Sequence, residues 1–501
     1  MRLNYFYTIL LVVFSFQVLK ADNDTLSIAK TFIQQKKFTK AERILKIFEK
    51  NHPDDLNTIW LYGQSAYWAG HYKTFRKIYE RAMLRFPSNY YLKLDYALKL
   101  VENGDLQKAK PLLELYKKYD ANSADLELAF ARIAYWEGEY SLALKRVDSE
   151  TLKKEKHQEA QELREEILTA QSTWIRVGVD YLNDDQPLQC IAPVIEGSKY
   201  VNNLCSPVVA FQPLFFKTET TTYTAPKLTI GNKFNFFKMG LQVSVNIRFI
   251  RLPDNSNQLC GSVELVKTYF KHFQIAASAA RQPYLTTISS LTNTVVPYHY
   301  DFSLGWSNPK SWNGRLFGIY DQYNDNNYIY NIGAWVFAPP LKLADFQFRI
   351  GYAFGYGTSK ENKYVPKETL KTIMSNPQKP VEGIYDPYFT PLNQQAHSGL
   401  INITFQPNKK VMLGVSGSIA FAGSIDAPYL FLVRNKNKPA VNKDYSHTKF
   451  YPNKIDAFIM YRIAKKVSLK ANYTYLENNF YTSNVVGLSM ILNLWDDRKV
   501  R

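Results

Sequence analysis

The sequence predicts a two-part chain, a helical repeat solenoid followed by an antiparallel transmembrane β-barrel. Three observations predict it. Residue columns recur every 34 positions in the first third. Apolar and polar residues alternate through the last two thirds. A short apolar run sits at the N-terminus. The 501 residues suffice for two or three domains. Aromatics make up 15%, with 36 Tyr and 31 Phe, as expected of a barrel with aromatic girdles.

The first residues read as an export signal over 1–21. Arg2 supplies positive charge, and Thr8 to Val18 form an apolar run too short to span a bilayer as a helix. Leu19-Lys20-Ala21 places a small residue at the cleavage point, and no Cys is there to take a lipid anchor. No later stretch approaches the ~20 apolar residues of a membrane-spanning helix. An exported chain meets an oxidising compartment. Of the three cysteines, Cys190 and Cys205 share one loop-like segment and are candidates for a disulfide, with unpaired thiols as the alternative.

Residues 22–171 form the predicted repeat domain. Ala66-Tyr-Trp-Ala-Gly-His-Tyr72 recurs as Ala134-Tyr-Trp-Glu-Gly-Glu-Tyr140, and Gly104 lies midway between Gly70 and Gly138. Ala41, Phe75, Ala109 and Ala143 keep the same step, as do Gly63, Ala97 and Ala131. A 34-residue helix–turn–helix period is the tetratricopeptide signature. Small residues at 63, 97 and 131 let paired helices approach. Gly70, Gly104 and Gly138 end the first helix of each pair. Trp68 and Trp136, beside these turns, are expected to pack repeat on repeat rather than stack on a ligand. Asp148 to Gln171 is a charged helical segment, a cap or a stalk.

From residue 172 to 501 the period becomes two. Met239, Leu241, Val243, Val245, Ile247 and Phe249 alternate with Gly240, Gln242, Ser244, Asn246 and Arg248. The same alternation runs through Phe346–Phe354, Val467–Tyr475 and Val486–Leu494. Strands of ~10 residues, apolar outside and polar inside, are the barrel pattern. Short connections, such as Asn235–Lys238 and Ala464–Lys466, alternate with long ones, such as Asn183–Thr220, Gln282–Val296 and Thr358–Asn393. Six short and seven long connections join about 14 strands, range 12–16, with Pro207–Lys217 offering a further pair. An even number returns both ends to the periplasmic side, where the repeats would hang.

Charge follows the same division. The net charge is +18. Residues 22–171 carry a balance of only +2, and residues 172–501 carry +14. In a soluble chain such an excess would suggest nucleic acid. In an exported barrel it points instead to lipopolysaccharide phosphates or an anionic substrate. Strand phase turns Arg176, Arg248, Arg349, Arg462 and Lys470 inward, along with Asp180, Gln242, Asn246 and Asp456. They form a basic lumen, or one filled by paired charges that passes nothing.

Chemistry-bearing motifs are missing. The seven histidines include no pair four apart, so no zincin site is present. Gly414-Val-Ser-Gly-Ser418 lacks nucleophile-elbow spacing. Gly351 to Gly357 lacks the Lys-Ser/Thr of a P-loop. Ser398, His397 and Asp386 have only proximity to recommend them. The expectation is a non-enzyme with no cofactor and no metal.

Two stretches resemble known families. Ala129-Phe-Ala-Arg-Ile-Ala-Tyr-Trp-Glu-Gly-Glu-Tyr-Ser-Leu-Ala-Leu144 resembles the last repeat of the YaiO-type outer-membrane proteins, which join repeats to a barrel. Tyr388-Phe-Thr-Pro391 is similar to a Tyr-Phe-Ser-Pro stretch in the barrels of cellulose-export proteins. These resemblances imply export or assembly of a surface glycan, with the repeats docking periplasmic protein or polysaccharide. They also imply outer-membrane lipid, lipopolysaccharide and the barrel-assembly machinery as partners. A count near 14 strands resembles instead the surface-lipoprotein assembly modulators, which implies protein or lipoprotein translocation. A structural or adhesive barrel without a conduit is the third reading.

Overall fold

The structure is a computed structural model that describes residues 25–269, 272–308, 311–433, 439–478 and 481–495. The expected export signal lies outside them. The chain divides into two compact units between Arg164 and Glu165.

The first unit is helical. After α1 (25–34) come α2 (Phe38–Asn51), α3 (Leu56–Trp68), α4 (Tyr72–Arg85), α5 (Tyr90–Glu102), α6 (Leu106–Lys117), α7 (Ala124–Trp136), α8 (Tyr140–Val147) and α9 (Glu150–Glu155). Helix α10 (His157–Ala170) runs across the division. Polar caps start α3, α5 and α7. Asp55 accepts the N–H groups of Asn57 and Thr58, Asn89 that of Leu92, and Ser123 that of Leu126.

The same C-terminal device recurs at a 34-residue spacing. Gly70, Gly104 and Gly138 have φ of 82°, 76° and 75°, a backbone region that side chains disfavour. Each closes a Schellman turn: the N–H groups of His71, Asp105 and Glu139 reach Ala66, Leu100 and Ala134 carbonyls at 2.9, 2.9 and 2.8 Å. Between the paired helices, Ala97 and Ala131 are fully buried, and a Cβ added at Gly63 would collide with the Tyr79 ring. Trp68 packs partly against this core, 5.2 Å from the Phe38 ring centroid. Trp136 keeps 36% of its surface exposed.

The second unit is a closed antiparallel barrel of sixteen strands. They are β1 (Thr173–Asp184), β2 (Gln189–Lys199), β3 (Pro207–Lys217), β4 (Thr222–Phe236), β5 (Leu241–Arg251), β6 (Asn257–Tyr269), β7 (Phe273–Arg281) and β8 (Tyr298–Trp306). Then follow β9 (Asn313–Gln322), β10 (Tyr328–Phe337), β11 (Phe346–Ser359), β12 (Gln394–Phe405), β13 (Val411–Val433), β14 (Asn453–Ala464), β15 (Val467–Glu477) and β16 (Thr482–Leu494). Two additional strands, Leu341–Leu343 and Ala440–Lys449, pair with β11 and β13 and prolong the edges held by β10 and β14 without adding a position to the ring. Closure comes from β1 against β16, in a register running from Thr173↔Leu494 to Asp184↔Ser483.

The ring has two strands more than the fourteen expected. The span Asn183–Thr220, expected to be one long connection, contains β2 and β3. Their paired register is Cys190↔Phe216 and Ile191↔Phe215, then resumes at Ile195↔Phe211. The skipped stretch holds Pro193 and Pro213, neither of which has an N–H to donate. Prolines inside both strands gave the segment the look of a loop. The same arrangement undoes the expected disulfide. Cys190 lies at the start of β2, and Cys205 lies beyond its far end. The rest of the strand, from Ile191 to Lys199, separates them, at ~3.3 Å rise per residue. Both thiols are free, and Cys190 is buried.

Both ends of the barrel segment lie at the rim that carries the short turns. One of these turns is held by Gly240, with φ of 60° and the Thr268 carbonyl where a Cβ would stand. The opposite rim carries the long connections 282–297 and 360–393. The outer surface is apolar, with Val177, Val179, Ile247, Val263 and Leu488 exposed. Phe236, Tyr269, Trp306 and Phe346 ring the short-turn rim. Tyr181, Phe215, Phe249, Tyr298, Tyr320 and Tyr330 ring the other. A belt of aliphatic residues between two aromatic girdles is the surface a bilayer selects.

Two substitutions test these placements. Gly63→Val should drive a branched side chain into Tyr79 and cost about 1–3 kcal/mol. The melt of the helical circular-dichroism signal should move down, and an unchanged melt refutes the close approach. Val263→Arg puts a charge on the apolar belt and should cost about 2–4 kcal/mol if the site lies near the bilayer midplane. Urea unfolding of the barrel in lipid vesicles measures this, and no loss of stability would place Val263 away from hydrocarbon.

Candidate functional site: the barrel lumen

Strand alternation decides which side chains face inward. Arg176 has the opposite phase to exposed Val177 and Val179, Arg248 to Ile247 and Phe249, and Arg349 to Ile350 and Tyr352. Arg462 opposes Tyr461 and Ile463 in the same way, and Lys470 opposes Leu469. All five therefore share the inner face, together with Asp180, Asn246 and Asp456. Several inward charges are paired, two across neighbouring strands and one along a single strand. Arg176 meets Glu196 at 2.8 Å, Arg315 meets Asp301 at 3.7 Å, and Lys454 meets Asp456 at 3.0 Å. Lys470 lies over the inward Phe458 ring at 5.9 Å. Arg349 keeps only 7% of its surface.

The long connections fold into the barrel mouth. Segment 282–297 carries a short helix, Ile288–Thr292, begun by a capping box at Thr287 and Ser290. Its Leu291 and Val296 are buried against the inner faces of β2 to β6, among Cys190, Phe216, Ala225, Ile250 and Cys260. Cys190 and Cys260 thus serve as small apolar residues in this cluster.

The second long connection, 360–393, fastens to the first. The hydroxyl of Thr287 donates to the Pro387 carbonyl at 2.6 Å, and Ser289 donates to the Asp386 carboxylate. Tyr388 is fully buried, its ring stacked on Tyr323 with centroids 3.6 Å apart. Its hydroxyl donates to Asp325 at 2.9 Å and accepts from Asn327 at 3.1 Å. Lys363 reaches the same carboxylate at 2.8 Å. Thr390 is also fully buried and accepts the Lys363 N–H at 2.8 Å. The Pro391 carbonyl accepts both the N–H and the hydroxyl of Ser359, at the end of β11. Tyr388-Phe-Thr-Pro391 therefore joins three things: the β11 end, the β9–β10 turn and the inward segment.

Burial pushes the Asp325 carboxyl up, but hydrogen bonds from Lys363 and Tyr388 outweigh it and hold the group below its ordinary value. A carboxyl depressed by folding stabilises above its unfolded pKa of about 4 and loses that contribution as pH falls through the folded value. The junction is thus secure at neutral pH.

Between segment 282–286 and the walls of β1 to β6 lies a cavity of about 510 Å³. Arg176, Lys227 and Arg248 line it, with Glu196 as the carboxylate. Arg248 donates to Gln282 Oε1 at 3.4 Å and to Ser262 Oγ at 3.3 Å. Of the five expected lumen cations, Arg176 and Arg248 come together here. Arg349, Arg462 and Lys470 do not line this space. Lys227 escaped sequence reasoning, although its phase matches Thr229 and Gly231. The inward course of 282–297 was also missed. Its signal was composition: Leu285, Ile288, Leu291, Val295 and Val296 are too apolar for a loop held in water. Among the described residues no cluster of His, Cys, Asp or Glu is arranged to hold a metal.

No protein family and no curated protein matches the chain. Solved structures do. A bacterial polysaccharide outer membrane secretin aligns at 7% identity and a TM-score of 0.47, over 65% of this chain and 99% of that one. Pseudomonas aeruginosa OpdK with vanillate aligns at 8% identity and 0.34, over 64% and 98%. A loop L8 deletion mutant of Vibrio cholerae OmpT aligns at 10% identity and 0.32, over 64% and 98%.

Removing the Tyr388 ring should free both inward segments. Tyr388→Ala, in the full chain in detergent, should open trypsin sites at Lys360 and Lys363 while the barrel core persists. Unchanged protection of both sites would show that the stack does not hold the mouth.

Proposed function

We propose that this chain is a conduit in the outer membrane of a Gram-negative bacterium, acting in export or assembly of a surface glycan or another envelope component. The helical unit is read as a tetratricopeptide array in the periplasm that docks a periplasmic protein or the polymer. The observation that carries the reading is the lumen. A ring of sixteen strands is the size at which barrels leave an aqueous passage. Here the inner face is polar and bears cations, and two inward segments narrow the mouth. The 34-residue recurrence of the Schellman turns supports the repeat assignment. The turn-rim position of both barrel termini supports a periplasmic helical unit, because barrels keep short turns on that side.

The second reading is a closed structural barrel. It is favoured by the fastening of 282–297 to 360–393, which ties the two inward segments together across the mouth. Translocation of protein or lipoprotein draws on no feature of this lumen that a glycan conduit lacks.

Conductance separates the two readings. In a planar bilayer the full chain should conduct and favour anions, because fixed positive charge in a low-dielectric passage focuses the field. Selectivity should weaken at 1 M salt, where the Debye length is ~3 Å. Replacing Arg248, Arg349, Arg462 and Lys470 by Gln should move the reversal potential toward cation preference, with heat-modifiable gel migration retained. A folded protein that never conducts decides for the closed barrel.

A further inference from the structure

We infer that the cavity between segment 282–286 and the β1–β6 wall is a binding site for an acidic sugar unit. The inference deepens the conduit reading and rests on it, since the ligand is taken as part of the passing polymer.

Charge is the first ground. Arg176, Lys227 and Arg248 line the cavity, and Glu196 is the carboxylate on its wall. Glu196 is engaged by Arg176 at 2.8 Å. Arg248 spends its hydrogen bonds on the neutral acceptors Gln282 and Ser262. Two positive charges, on Lys227 and Arg248, therefore remain without a carboxylate in the lining. A site with this balance favours an anion. Guanidinium and ammonium together suit a carboxylate, the first by its planar fork and the second as a point charge.

Size and lining argue against a bare ion. At about 510 Å³ the space lies within the range of small-molecule sites. It is many times the ~30 Å³ that a water occupies in the liquid. Gln212, Asn246, Thr229 and Thr286 add neutral hydrogen-bonding groups, and Leu214 and Ile250 add apolar surface. That mixture matches a sugar ring, whose hydroxyls lie at its edge and whose C–H groups form its faces. One side of the cavity is the inward segment itself, through Gln282, Pro283 and Thr286. The ligand therefore meets the element that narrows the mouth.

Single-channel recording and isothermal titration calorimetry on the detergent-solubilised full chain test the inference side by side. The probes are a galacturonic acid trimer, maltotriose as its neutral counterpart, and inorganic phosphate. The acidic trimer should bind and block current, while maltotriose and phosphate should do so at least tenfold more weakly. Lys227→Gln with Arg248→Gln should raise the half-blocking concentration of the trimer at least tenfold, measured against that variant's own open-channel current and with heat-modifiable migration preserved. Should that double variant fail to fold, Gln212→Ala with Thr229→Ala should weaken the trimer at least threefold. Equal block by maltotriose overturns the charge argument. Equal block by phosphate overturns the sugar, leaving a plain anion site. Conductance without trimer block or binding removes the site and leaves the conduit. Trimer binding without conductance keeps the site and removes the conduit. Neither one, in folded protein, removes both.

Discussion

Every feature of the barrel depends on the pairing of β1 with β16. Hydrocarbon offers no partner to a backbone N–H or C=O, so a sheet that crosses it cannot keep an open edge. The register from Thr173↔Leu494 to Asp184↔Ser483 removes the last edge. Closure requires an even number when both termini are to share one rim, and it fixes the phase of each strand against its neighbours. Side chains then have two destinations only. A one-residue slip at any pairing would bring the apolar belt into the lumen and the charges into lipid. The inward placement of Arg176, Arg248, Arg349, Arg462 and Lys470 is thus a consequence of closure rather than five separate facts.

The size of the ring creates the next constraint. Small barrels fill their interior with side chains, whereas sixteen strands leave space that side chains alone do not span. The protein occupies that space with backbone. Segment 282–297 brings its own apolar residues to the inner wall, where Leu291 and Val296 replace water against β2 to β6. A backbone placed there must still satisfy its polar groups. The capping box at Thr287 and the bond from Thr287 to Pro387 do so. The cations nearby are treated unevenly. Arg176 is neutralised by Glu196, while Arg248 is held by uncharged groups. This uneven pairing gives one part of the wall its positive character.

Periodicity made the architecture legible. A 34-residue recurrence and a two-residue alternation are both set by backbone geometry, so they survive in the sequence wherever the geometry does. The Schellman turns at Gly70, Gly104 and Gly138 lie where the columns placed them. The misses share one cause. Reading by period sees local structure and not what lies opposite. Pro193 and Pro213 look like strand breakers in isolation. In the sheet they stand across from each other, so the two missing donors fall at a single gap in the ladder. Cys190 and Cys205 are near in sequence, yet the strand between them holds them apart. Lys227 follows Pro226, which reads locally as a strand breaker although the register runs through it unbroken. The cavity itself was not legible, because segment 282–286 and the β1–β6 wall meet only in the closed ring.

The stretch Tyr388-Phe-Thr-Pro391 shows what such a meeting does to the meaning of a motif. Its residues bear hydroxyls and lie near acids, which in a loop would invite a chemical reading. Burial argues otherwise. Tyr388 and Thr390 are wholly enclosed, and their hydroxyls are consumed by Asp325, Asn327 and the Lys363 backbone. A group so engaged has no free valence for a substrate. What it controls is position. By tying the β11 end to the β9–β10 turn and, through the Phe389 N–H, to the Tyr284 hydroxyl, the stretch helps fix how 282–297 sits beside Lys227 and Arg248. Residues enclosed in this junction therefore help set the dimensions of a space whose walls they do not line.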